Sequence, residues 1–295
     1  MRQKLGFPAF AATLLFAGAC GDTGVRAAKG DPAPPHDENV YECETSGQIR
    51  SALKESDAGD SPDNPVKIAF SGHELSGVVL FTILYACDKY IDLDLSGCTG
   101  QSFGAFNISD SKIQEKRQYI VSLTLPDSVR FIGFSALSTP DTAEDSVIGW
   151  VNLRTITMPG AQYIAQYAFY GCRSLKTVYA PAARELSQNA FSVCPSLQNL
   201  SLGAEPPAIA ASVFEGCAVQ NQQIVLAIPE GAENAYGLVA DEPLDAEKSR
   251  TGALAASGDA SWLTKLGANS ASGFFWDSNS QTRNNLTVSL SVQAE

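Results

Sequence analysis

A phrase of fixed spacing recurs in the middle of this chain: Ile164, Phe169, Cys172, Leu175, Val178, Ala180 and Pro181, then Leu186, Phe191, Cys194, Leu197, Leu200 and Leu202. The same spacing begins again at Ile209, Phe214 and Cys217. Upstream, Ile132 and Leu137 open a variant in which Trp150 takes the Cys place and Leu153, Ile156, Met158 and Pro159 follow. An internal repeat decides the architecture before any local reading does. Doublets such as Ile156-x-Met158 and Leu200-x-Leu202 alternate as a strand does, two side chains inward and the one between them outward. The Ile, Phe, Cys and Leu positions recur at constant offsets outside that strand, so stacked turns line them up as columns of like side chains. One turn cannot bury its own apolar face, and stacking closes a continuous core. The expected fold class is an α/β repeat, a solenoid.

Turn closures at Pro126, Pro159, Pro181, Gly203 and Pro229 stand 33, 22, 22 and 26 residues apart. Leucine-rich repeats run about 20 to 29 residues. The long turn contains an insert of ten residues between Leu137 and Trp150, with Thr139, Pro140, Asp141, Glu144 and Asp145, which reads as an acidic surface loop. The last turn gains about three residues around Gln220 to Gln222. On these residues the chain resembles the BspA-type leucine-rich repeats of bacterial surface proteins, treponemal lipoproteins among them, over roughly residues 90 to 230. Trp150 for Cys, Leu137 for Phe and Gly203 for Pro depart from the pattern and are expected to weaken single turns without breaking the columns.

The first residues carry an address. Arg2 and Lys4 precede an apolar run from Leu5 to Ala17, and Ala17-Gly18-Ala19-Cys20 follows, as in a secretory signal (1–19) that ends at a lipid-accepting Cys20. The site resembles a bacterial lipobox, with Ala17 where Leu is commoner. The run is too short to span a membrane, and no other segment reaches about 18 apolar residues. Lipidation would anchor the protein without a spanning helix, and membrane contact is expected only through that anchor. Residues 20–42, rich in Gly, Ala, Pro and charge, read as a disordered tether.

Residues 43–100 read as an N-terminal cap, 101–231 as the leucine-rich-repeat solenoid and 232–295 as a C-terminal cap. Thr45-x-x-Gln48 fits a capping box, after which Ile49, Ala52 and Leu53 share a helical face. Val66 to Phe70 reads as a strand, Val78 to Ala86 as a buried helix, and Ile91, Leu93 and Leu95 as the strand of the first irregular turn. At the far end Leu286, Val288, Leu290 and Val292 alternate with polar residues as a half-buried strand. Trp262, Phe274, Phe275 and Trp276 read as a capping core, and Ala240 to Ser261 as a loop.

Chemistry is thin. The formal charge is -12, and losing residues 1–19 with Arg2 and Lys4 makes it -14, which excludes nucleic acid as a partner because phosphate binding requires a basic surface. With only His36 and His73, histidine triads and multi-histidine metal sites lack raw material. No phosphate-cradling glycine loop is present, so neither enzymatic activity nor a cofactor is expected. Cys172, Cys194 and Cys217 share one column and read as compact packing residues rather than disulfides. Cys43, Cys87 and Cys98 leave room for one pair.

What remains is surface. The outward residue of each strand doublet gives a candidate binding face of Asp94, Thr124, Thr157, Tyr179 and Ser201; one step earlier lie Asp92, Ser122, Thr155, Thr177 and Asn199. Asp92 and Asp94 share the outward face of one strand, where a solvated pair is the ordinary reading. The resemblance implies that these strands line the concave side and bind protein ligands: host matrix or cell-surface proteins, or other bacterial surfaces. It implies a lipid-anchored protein of the bacterial envelope, placed on the outer membrane or cell surface and acting in adhesion. A periplasm-facing structural lipoprotein that binds envelope components is the alternative.

Overall fold

The alternating doublets form strands, and each strand pairs with the one a turn away. In the computed structural model, which describes residues 39–104, 110–137 and 150–210 with shorter pieces between 213 and 293, the elements are β1 (Val40–Cys43), α1 (Ser46–Glu55), β2 (Val66–Phe70), α2 (Gly77–Ala86), β3 (Ile91–Asp94), β4 (Ser102–Phe103), α3 (Ser111–Glu115), β5 (Ile120–Thr124), β6 (Phe131–Ile132), β7 (Thr155–Thr157), β8 (Tyr163–Ile164), β9 (Thr177–Ala180), β10 (Glu185–Leu186), β11 (Asn199–Leu202), β12 (Ala208–Ile209) and β13 (Ile224–Pro229). A long sheet runs β1-β2-β3-β5-β7-β9-β11-β13 with every pairing parallel. Beyond β13 the strand Val288–Gln293 continues it in parallel, and Ser249–Arg250 adds an antiparallel edge. A short parallel sheet, β4-β6-β8-β10-β12, takes one two-residue strand from each turn. All these strands belong to one compact unit, His36–Glu295. This is the solenoid that the spacing implies.

The columns form as the spacing requires. Leu123, Ile156, Val178 and Leu200 face inward in register on the long sheet, and Phe103, Ile132, Ile164, Leu186 and Ile209 do so on the short one. Between the sheets Phe169, Phe191 and Phe214 stack face to face, with centroids 4.8 and 5.5 Å apart and rings within 6° of parallel. These loops have no helix to satisfy their backbone groups, so each turn relies on the next. The Phe169 N–H donates to the Ala190 carbonyl and the Phe191 N–H to that of Val213. The cysteines complete the exchange, because the thiols of Cys172, Cys194 and Cys217 donate to the carbonyls of Leu137, Phe169 and Phe191 at 3.1, 3.2 and 2.8 Å. Cys98 does the same to Phe70 at 3.2 Å.

All six described cysteines are buried and free, so the pair allowed among Cys43, Cys87 and Cys98 does not form. Leu137 takes the Phe place, donating its N–H to the Ala168 carbonyl at 2.7 Å. Trp150 takes the Cys place: its carbonyl accepts from Leu153, as those of Cys172 and Cys194 accept from Leu175 and Leu197. Its ring is fully buried, edge-on to Phe103 and beneath the Arg117 guanidinium. Gly203 is a requirement rather than a weak turn, since a Cβ there would stand 2.1 Å from the Pro181 carbonyl oxygen.

The N-terminal cap is built on the same sheet. The capping box at Thr45 and Gln48 is present, and Ile49, Ala52 and Leu53 are buried beneath α1. Strands β2 and β3 fall where the alternation places them. Three readings need correction. The tether, expected through residue 42, ends sooner, because Val40–Cys43 pair with β2 as the first strand of the sheet. Helix α2 buries only Leu80, Ile83, Leu84 and Ala86, leaving Val78, Phe81 and Tyr85 exposed. The stretch from Ala240 to Ser261 contains the short strands Ser249–Arg250 and Ala255–Ala256, not one loop. The strand expected near the C-terminus is present as Val288–Gln293, and Phe274–Asp277 pairs with Thr282–Asn285. Residues 1–38, the segment 138–149 that holds the insert, and Trp262 lie outside the described residues.

Candidate protein-binding face

Parallel pairing puts the outward residues of successive strands into register, so the face follows directly from the ladder. Asp94, Thr124, Thr157, Tyr179 and Ser201 form one unbroken row, each paired with the next. A second row carries Asp92, Ser122, Thr155, Thr177 and Asn199. Every residue in both rows is half-buried, as expected for side chains standing on a sheet and flanked by neighbours. The Asn199 amide donates to the Thr177 hydroxyl at 3.4 Å, a link along the row across adjacent strands. Tyr179 stands between Thr157 and Ser201 and is the largest apolar surface in its row.

The rows continue further than the spacing alone reveals. Ala69 and Glu42 extend the first past Asp94, and Lys67 and Val40 extend the second past Asp92. The alternation of β2 was legible, but its register was not, because no repeat phrase links it to later turns. At this end the face is charged. Arg154, the residue before β7, pairs with Asp63 at 2.6 Å and also lies near Asp92. Burial pushes the Asp92 carboxyl above its ordinary value, opposed by the positive charges of Lys67 and Arg154. Asp94 accepts the Ser96 N–H at 2.7 Å, holding the turn that follows its strand. The two aspartates thus have separate local duties. The face grades from a charged end at β1 to β3 into a hydroxyl-rich stretch from β5 to β11.

Aromatic residues on the short sheet were not singled out by sequence. Phe131 and Tyr163 are exposed and stack at 5.1 Å, and Phe134 meets Tyr167 edge-on at 5.9 Å. Each of the first pair precedes a column Ile, an outward position that the repeat spacing leaves open to any residue.

Among the described residues no cluster of His, Cys, Asp or Glu is arranged to hold a metal ion. No described helix is long and apolar enough to cross a membrane. The class defined by this geometry is a parallel-strand repeat protein with an extended polar face. Residues 144–232 match the family model of the BspA type leucine rich repeat region, in six copies. No curated protein matches the sequence. Repeats of this kind are protein-interaction modules, with an exposed sheet as the natural place of contact.

Proposed function

We propose that the protein is a lipid-anchored surface protein that uses the outward rows of its long sheet to hold protein ligands. The reading rests on one observation, the unbroken in-register row from Asp94 through Thr124, Thr157 and Tyr179 to Ser201 within the repeat strands. Five consecutive strands present side chains able to donate or accept hydrogen bonds at one height, with Tyr179 supplying the aromatic anchor on which interface energy concentrates. A partner lying across the strands meets hydroxyls along most of its length and carboxylates at one end, a pattern suited to a protein surface with basic residues at the matching end.

The signal-like segment and Cys20 support an envelope protein held by lipid, and the surface is the side on which a ligand-binding row is useful. Adhesion to host matrix proteins, host cells or other bacteria is the corresponding role. The test combines protease treatment of intact and permeabilised cells with palmitate labelling of wild type and Cys20→Ala. Labelling that depends on Cys20, with cleavage in intact cells, supports the reading. Protection in intact cells overturns the surface role and leaves a periplasm-facing envelope protein. For the binding row, Tyr179→Ala should weaken capture of a matrix protein bound by wild type by about tenfold or more. An unchanged affinity would remove the long sheet from the interface.

A further inference from the structure

The two cap helices face solvent in opposite ways. Helix α1 buries Ile49, Ala52 and Leu53 and turns Gly47, Gln48, Arg50, Lys54 and Glu55 outward, as an ordinary surface helix does. Helix α2, Gly77–Ala86, carries no charged residue and is apolar around its circumference. Such a helix is normally enclosed, yet Val78 is 75% exposed, Phe81 38% and Tyr85 54%. The Phe81 and Tyr85 rings stack at 6.0 Å, and the Arg50 guanidinium lies 4.5 Å over the Tyr85 ring. Terminal units of a solenoid need a polar outer surface to stay soluble; α1, packed on the terminal strand β1, has one, and α2, which follows β2, does not.

We infer that the outer face of α2 is a membrane-contact surface, with Val78 and Phe81 entering the bilayer interface while Tyr85 and Arg50 remain among the headgroups. The inference deepens the lipid-anchor reading, which supplies the reason for proximity. Only 19 residues separate Cys20 from Val40, where β1 begins. Fully extended, a chain of that length reaches at most about 70 Å, so lipid at Cys20 would hold the entry into β1 within that distance of the bilayer. Strand β1 lies against α1, and α1 packs on α2, so the apolar face belongs to the end of the fold at which the chain enters β1. The chemistry suits the place: an aromatic ring with a polar tip and a cation that can reach phosphate are interfacial residues, and the aliphatic ones give the gain from leaving water. A second contact of this kind would add to the hold of whatever lipid Cys20 carries. It would also fix how the repeat strands are presented from the membrane.

The test uses residues 21–295, which keep the whole compact unit from His36 and lack both the signal segment and the acyl site. This protein is mixed with vesicles of phosphatidylcholine and phosphatidylglycerol and sedimented. The expected result is co-sedimentation of wild type, reduced by about tenfold or more in Phe81→Ser and Val78→Ser, the loss that follows from removing one apolar side chain's burial. Phe131→Ser, which alters an exposed aromatic on the short sheet, should sediment as wild type does. Circular dichroism melts of each variant check that the fold is retained; Val78 is 75% exposed, so the Val78→Ser melt should coincide with that of wild type. The inference is overturned if wild type stays in the supernatant, if the α2 variants bind as well as wild type, or if the α2 face instead joins two copies, seen as a dimer in sedimentation velocity that Phe81→Ser dissociates. Mass spectrometry of the cell-derived protein reads acylation at Cys20 separately, so a missing acyl chain and a missing vesicle contact are distinguishable outcomes.

Discussion

From Val40 to Asp94 the long sheet is covered by two ten-residue helices; from Thr155 to Leu202 it is covered by two-residue strands and a stack of phenylalanines. Both stretches share one hydrophobic core. A helix satisfies its interior backbone groups within itself and needs only an apolar stripe, which many sequences provide. A short loop cannot do this, so in the repeat stretch each turn passes N–H and C=O groups to its neighbour. Phe169 donates to Ala190, and Cys194 donates back to Phe169. That reciprocity requires a particular residue at a particular place in every turn. The cap is therefore tolerant and unpatterned, while the repeat is strict and recognisable.

The contrast should be sharpest at the rings. Phe191→Ala removes the middle of the stack and leaves a cavity with neighbours on two turns, and an urea titration should show a loss of about 3–5 kcal/mol. Phe81→Ala on the cap should cost less, about 1 kcal/mol, since the residue is 38% exposed. Comparable losses at both positions would mean that the Phe column is no more demanding than the cap.

The thiols give a pH prediction. Burial pushes Cys172 and Cys194 well above the ordinary thiol value of 9.0 and Cys87 up to about 12. In the unfolded chain these groups ionise near 9, while in the folded chain they stay protonated, so the unfolded state binds fewer protons as pH rises. Their stabilising effect is fully present below about pH 8 and is lost progressively from pH 9 toward the folded values. Each buried thiol should cost about 1.4 kcal/mol per pH unit in that window. Urea midpoints at pH 7 and pH 8 should agree, and the midpoint at pH 10 should be clearly lower. A flat profile to pH 10 would show that the thiols reach solvent and that the exchange between turns is loose.

Strain offers a change in the other direction. Val193 holds a φ of 59° at the position where the previous turn has Gly171 at 72°. A β-branched residue is poorly suited to the left-handed region, whereas glycine adopts it freely. Val193→Gly should raise stability by about 0.5–1 kcal/mol, read as a higher urea midpoint with unchanged slope. A fall would mean that the contacts of the half-buried valine outweigh the backbone strain.

The smallest effect concerns the link between the two regions. Asp63, before β2, pairs with Arg154, before β7, and both side chains are solvent-accessible. Arg154→Ala should cost about 0.5 kcal/mol or less, diminishing further in high salt. A larger effect would show that cap and repeat depend on this bridge as well as on their common core.

Most of the repeat was legible because a column requires one kind of residue at one offset, and the offset persists even where the residue changes. Trp150 and Leu137 stand in the Cys and Phe places, as their spacing indicates, despite their different chemistry. Gly203 was misjudged because the reason for it is the Pro181 carbonyl one turn away. Strand β1 was missed because four residues beside a proline-rich stretch carry no periodic signal, and they are strand only because β2 lies alongside. The candidate face was legible from Asp94 to Ser201, where repeat offsets give the register. Its continuation through Lys67, Glu42 and Arg154 was hidden, since contacts across 91 residues leave no local trace.

By itself the sequence determined the repeat, its turns, the residues that fill each column and the outward positions of the strands, because hydrophobic spacing is a one-dimensional record of which side chains face inward. Tertiary structure alone decided that the cap joins the same sheet, that Cys43, Cys87 and Cys98 stay free thiols rather than forming a pair, and that one side of α2 is left bare. Those outcomes depend on which surfaces meet after folding. An apolar helix reads the same in sequence whether its second face is covered or open to its surroundings.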